Sequence, residues 1–186
     1  HQTGRTMYLL PKYIDIIGDV RNGHTTHQTL TNLITSDKPY LVFNVGDLVN
    51  TGSSASDWAI FDSITGNLRA NTRYYPAIGN HEIASSYFEA RFGTDKWHSL
   101  DVDSIHYIIL DSNTSLALGS TQYNWLANDL TNQPAATRFT IVILHHPPCA
   151  LGGLTDAVVL FKANGVDLVF NGHSHLYARM VSDGIY

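Results

Sequence analysis

Five short stretches of this 186-residue chain carry side chains able to hold metal ions or move protons: Gly18-Asp19, Gly46-Asp47, Gly79-Asn80-His81-Glu82, His145-His146 and Gly172-His173-Ser174-His175. Each follows an apolar run. A lone Gly-Asp is ordinarily a turn and a lone histidine ordinarily a packed or solvated side chain. Together, however, these stretches offer two carboxylates, an amide oxygen and several imidazoles, which is a donor set for two metal ions, with Asp47 best placed to bridge them. Asn80 supplies a neutral oxygen where a third carboxylate would overload the charge. His81 would project beside the metals towards a substrate, where it could hydrogen-bond or protonate a departing oxygen. Glu82 could orient it from behind. His145-His146 precede Pro147-Pro148, a rigid turn suited to fixed ligand geometry. His173 and His175, two apart in an extended segment, point the same way.

The elements that must position these groups follow from hydrophobic pattern. Strands are expected over 13–17, 40–45, 74–78, 105–110, 139–144 and 166–170, each a short apolar run. Helices are expected over 24–35, after the capping candidates Ser53 to Ser56 (with Trp58, Ile60, Phe61 and Ile64 inward), and over 85–92, 120–130 and 154–163. Residues 1–12 read as a lead-in and 93–103 as a loop. Strands alternating with helices predict an α/β fold with parallel strands, whose active site lies at the strands' carboxyl ends. The chain ends in Ile185-Tyr186 as if another strand were beginning, so the last strands are expected to be missing.

Composition narrows the class. A net charge of −5 argues against a general nucleic-acid or anionic-membrane surface. No apolar run approaches the ~20 residues of a membrane helix. Cys149 is the single cysteine and cannot form an internal disulfide; it reads as a small buried residue beside the site. A chain rich in Ser, Thr, Asn and Tyr and poor in Lys leans towards an exported protein. Asn113-Thr114-Ser115 is a glycosylation sequon, a frequent chance pattern.

The ordered set Gly18-Asp19, Gly46-Asp47, Gly79-Asn80-His81-Glu82, Val142-Ile143-Leu144-His145 and Gly172-His173-Ser174-His175 resembles the calcineurin-like metallophosphoesterase superfamily. The run from His173 to Arg179 looks like the branch that includes the purple acid phosphatases. The resemblance implies a single domain over 1–186 with a metallo-dependent phosphatase-like fold, a four-layer α/β/β/α sandwich of two mixed sheets. It implies two divalent or trivalent ions (Fe, Mn or Zn), with Asp47 bridging, Asn80, His145 and His173 completing the second position, and Asp19 and His175 in the first. His145 rather than His146 falls where that branch has its ligand. The implied activity is phosphoester hydrolysis of a small phosphorylated substrate, a monoester in preference to a diester, by metal-activated hydroxide with His81 assisting the leaving group. The alternatives are a phosphodiesterase or nuclease on the same scaffold, and a degenerate metal- or phosphate-binding domain without catalysis.

The chain departs from the pattern at the first position. The usual Asp-x-His is here Asp19-Val20-Arg21, and Asn50 stands where purple acid phosphatases place a ligand tyrosine. Tyrosinate–iron pairing is therefore not expected. His27, ahead of His24, is the candidate to complete the first position from the start of its helix. Arg21 reads as a bidentate clamp for a substrate phosphate.

Overall fold

The structure is a computed structural model and describes residues 13–83, 85–148, 154–181 and 185–186. The lead-in and Cys149 lie outside the described residues. In chain order the elements are β1 (Ile14–Ile17), α1 (His24–Asp37), β2 (Leu41–Asn44), α2 (Ala55–Asn71), β3 (Arg73–Pro76), α3 (Ser86–Phe92), β4 (His98–Val102), β5 (Ile105–Ile109), α4 (Thr121–Thr131), β6 (Phe139–Ile143), α5 (Thr155–Ala163) and β7 (Leu168–Phe170). Serines start three of the helices: Ser54, Ser85 and Ser120 accept from the backbone N–H of Asp57, Phe88 and Tyr123.

The strands form two sheets, ordered β1-β2-β3 and β4-β5-β6-β7. All three described strands of the first are parallel. The second is mixed, with β4 antiparallel to β5 and the others parallel. Alternation along the central strands explains the layering. Leu41, Phe43 and Val45 meet Tyr107, Ile109, Ile141 and Ile143 between the sheets. The intervening Ile108, Leu110, Val142 and Leu144 face outward onto Leu126 and Leu130 of α4 and Ala157 and Phe161 of α5. On the opposite outer face Trp58 and Phe61 of α2 and Phe88 of α3 pack with Leu48, Val49 and Ile78. The order helix, sheet, sheet, helix is the one expected, and β5 and β6 read as continuous apolar runs because both their faces are covered.

The strand β4 lies in a stretch expected to be a loop. Its alternation is diluted by polar residues: Leu100 and Val102 turn inward, while Asp101 is exposed. A sheet-edge position tolerates that pattern. At the chain end, Tyr186 donates to Asp167 O (3.0 Å) and accepts from Val169 N (2.7 Å), so the last residues pair alongside β7.

Candidate metal centre

The site is assembled at the carboxyl ends of β1, β2, β3, β6 and β7, where each chain leaves its strand in a tight turn. Several turn residues adopt left-handed backbone: Asp19 (φ 53), Asp47 (φ 57), His173 (φ 69) and His175 (φ 51). Such conformations are disfavoured for residues with a Cβ and concentrate at functional sites. Glycine is required where these turns touch. A Cβ on Gly79 would overlap the backbone nitrogen and Oδ1 of Asp47, and one on Gly46 would lie 2.7 Å from His145 Nδ1. Glycine thus lets the ends of the two sheets close on one another. His145 Nδ1 donates to Val45 O (2.8 Å), a bond from the second sheet to the first.

Three donors gather beside Asp47. His145 Nε2 lies 3.3 Å from Asp47 Oδ1, 3.0 Å from Asn80 Oδ1 and 3.3 Å from His173 Nδ1, and His173 Nδ1 lies 3.1 Å from Asn80 Oδ1. Ligand atoms around an ion with bonds of about 2.0–2.2 Å stand roughly 3.0–3.4 Å apart, so the set fits a metal ion such as zinc in spacing and in chemistry. Burial holds the pKa of His145 below the ordinary histidine value, which keeps its ring neutral with a lone pair to offer. His146 was set aside in the sequence, yet it stands in one cluster with His145 and His173, their ligand atoms all within 4.8 Å. Its Nδ1 hydrogen-bonds Ser112 Oγ (2.8 Å), and burial with two histidine neighbours pushes its pKa down to about 4. Repeated histidine before Pro147 was the signal available for it; nothing local marks Ser112, which arrives from the turn after β5.

The first position differs. Asp19, Asp47 and His175 do come together: His175 Nε2 is 3.4 Å from Asp19 Oδ1. Between them sits Arg21, whose Nη1 lies 2.7 Å from Asp47 Oδ2, 2.9 Å from His175 Nε2 and 3.9 Å from Asp19 Oδ1. A guanidinium therefore stands where a first ion would sit, although Asp19 and Asp47 do group with His145, their ligand atoms all within 4.8 Å of one another. His27 is not brought to the cluster. It is buried with its ring 6.1 Å from that of Phe61, and burial together with nearby His24 lowers its pKa to about 4. His24, His27, Asn50 and Arg21 line one small crevice. Helix α1 begins at His24 and turns position 27 into the apolar contact with α2, which is why the ring faces away.

His81 and Glu82 separate as well. The His81 ring reaches Asp47 Oδ2 at 3.9 Å through Nε2, while Nδ1 donates to Asn50 O at 2.6 Å. A carbonyl can only accept, so this bond fixes the proton on Nδ1 and turns Nε2 towards the centre. Glu82 does not orient His81. Its carboxylate is buried and accepts from the backbone N–H of Asp47 (3.0 Å), Gly79 (3.0 Å) and Val49 (3.1 Å). Burial, reinforced by the charge of Asp47, raises its pKa to about 7 against the pull of those three bonds. Glu82 thus braces the Asp47 turn against the Asn80 turn, and the orienting group is the carbonyl of Asn50.

Comparison with known proteins places these features in a group. The family model described as calcineurin-like phosphoesterase matches residues 12–177. Among curated relatives, purple acid phosphatase 22 of Arabidopsis thaliana is 30% identical over 199 residues, covering 91% of this chain and 45% of the relative. A phosphoenolpyruvate phosphatase of Allium cepa is 25% identical, covering 88% and 41%. The chain thus spans less than half the length of these relatives. Among solved structures, a purple acid phosphatase from yellow lupin seeds superposes with a TM-score of 0.74 at 16% identity, covering 87% of this chain and 37% of its own. A dimetal phosphatase from Danio rerio superposes with a TM-score of 0.73 at 15% identity, covering 92% and 84%.

Proposed function

The chain belongs to the calcineurin-like phosphoesterase family, and from that premise we propose that it is a metal-dependent hydrolase of small phosphate monoesters. What supports the reading is the approach of Asp47, Asn80 and His173 to within 3.0–3.3 Å of His145 Nε2, with His173 Nδ1 also 3.1 Å from Asn80 Oδ1. An ion held there, Fe, Mn or Zn among those that nitrogen and oxygen donors accept, supplies Lewis-acid polarisation of the phosphoryl group and an acidified water as nucleophile. The protein's part is orientation and proton transfer. Asp47, His145 and Asn80 are locked by the Glu82 brace and the His145–Val45 bond, so the donors need no reorganisation when substrate arrives. His81 keeps Nδ1–H on the Asn50 carbonyl, and its Nε2, protonated, gives the proton to the departing oxygen. Arg21 brings a permanent positive charge to the same rim.

Monoester preference follows from that charge, which suits a dianionic phosphate, and accords with the relative whose name specifies phosphoenolpyruvate, itself a monoester. An exported setting is part of the same reading and rests on composition, poor in Lys. The test is hydrolysis of a mono- and a diester of one phenol by protein reloaded with Mn or Zn. The monoester is expected to turn over faster, and Asp47→Asn is expected to lose bound metal and rate together. A faster diester would make the chain a phosphodiesterase, and no turnover of either ester by the loaded protein would leave only the non-catalytic alternative.

A further inference from the structure

The geometry points to Arg21 as a built-in substitute for one of two ions: the centre takes a single metal ion, at Asp47, Asn80, His145 and His173, and the Arg21 guanidinium provides its other positive charge. This rests on the reading above that those four donors hold metal. The observation that carries it is the position of Nη1, 2.7 Å from Asp47 Oδ2, 2.9 Å from His175 Nε2 and 3.9 Å from Asp19 Oδ1. These are the donors that would otherwise surround the first ion. Both contacts of Nη1 are N–H donations, so Nε2 of His175 presents its lone pair inward, as a metal ligand does. Asp47 then faces a cation through each of its oxygens.

The guanidinium is held there against a cost. Its Nε is buried with no hydrogen-bond partner among the described residues. A buried unmade hydrogen bond is unfavourable, so the attraction of the two carboxylates must outweigh it. An ion entering this position would have to displace a like charge from the space between the donors, and Arg does not deprotonate to make way. Nor does a replacement ligand stand ready. Asn50 meets the site through its backbone carbonyl, which accepts from His81, and His27 is turned onto Phe61. The Nη2 amine makes no hydrogen bond to a described residue, so it is left to meet a substrate oxygen. A centre built this way keeps one positive charge without any metal supply.

The experiment is metal content per chain, with the paramagnetic resonance spectrum of bound Mn, on wild type, Arg21→His, His175→Ala and His173→Ala. The expected result is one Mn in wild type with the spectrum of an isolated ion, unchanged in His175→Ala and lost in His173→Ala. Arg21→His, which removes the cation and adds an imidazole, is expected to bind two with a spin-coupled spectrum. Two coupled ions in wild type would overturn the inference while leaving the metal-site reading intact. So would a single ion lost in His175→Ala but kept in His173→Ala, or a folded Arg21→His that still binds one. No ion in wild type would remove the metal-site reading and this inference with it. If Arg21→His does not fold, the wild-type count and the two donor variants still decide.

Discussion

Asp47 divides its two oxygens between different neighbours. Oδ1 accepts from the His81 backbone N–H at 3.3 Å and faces His145, while Oδ2 faces Arg21 and, farther off, the His81 ring. His81 is thereby tied to the centre through its backbone, and its ring, held at Nδ1 by the Asn50 carbonyl, leaves Nε2 to act. His81→Ala is expected to keep bound metal and to lose turnover by about 10²–10⁴-fold, the usual range for general acid catalysis. The loss should be greater for an alkyl than for an aryl phosphate of the same charge, because an alkoxide needs the proton more; equal rates on the alkyl ester would remove His81 from its role. The glycine-punctuated string around Asn80 and His81 was legible in the sequence because the motif itself is local. The distant partners of Glu82 and Arg21 were not: Val49 and Asp47 lie 33 and 35 residues from Glu82, and Asp47 and His175 lie 26 and 154 from Arg21. Chemistry suggested a phosphate clamp for Arg21, and only the folded chain shows two carboxylates and an imidazole arriving at its tip. Asn113, read as a sequon, spends its amide on Ile78 O (3.1 Å) and Asp111 Oδ1 (2.9 Å), bracing the turn that carries Asn80.

At the scale of elements, the strand ends and helices were legible from period and capping serines, and β4 was the element missed. What fastens β4 is a buried histidine between two carboxylates. His106 on β5 bonds Asp101 of β4 at 2.8 Å through Nδ1 and Asp129 of α4 at 2.9 Å through Nε2, and Ser99 of β4 adds a bond to Asp129. Burial alone would lower the pKa of His106, but the two carboxylates outweigh it and raise it above the ordinary value of 6.5. A raised folded-state pKa means that the stabilisation is complete below the unfolded-state value of about 6.5 and is lost as pH climbs through the folded one. Urea unfolding between pH 6 and pH 9 should therefore show wild type losing stability with rising pH more steeply than His106→Gln. Parallel slopes would mean that the pair of bonds carries no net charge coupling. Sequence pattern had no way to announce this link, since a histidine inside an apolar strand looks the same whether or not two aspartates await it.

At the scale of the molecule, the donor set is shared between halves. Asp47 and Asn80 follow strands of one sheet, His145 and His173 strands of the other, and Phe43, its ring tilted against that of Tyr107 at 4.9 Å, packs in the layer that joins them. An ion bound by both sheets stabilises the folded chain by about 2.7 kcal/mol at a free concentration 100 times its Kd. For a chain of this length that corresponds to about 5–10 °C in Tm. Chelation is expected to lower Tm by that amount in wild type and to leave His173→Ala unmoved; an equal drop in both would place the ion elsewhere. The left-handed turns at Asp19, Asp47, His173 and His175 have a consequence for selection. Each holds a conformation costing of order 1 kcal/mol or more for a residue with a Cβ, and His173 and His175 are exposed, with little packing to forfeit. A laboratory search for heat-resistant descendants of this chain would find glycine attractive at those histidines. It would breed out those two imidazoles and arrive at a hardier molecule with a weakened grip on metal.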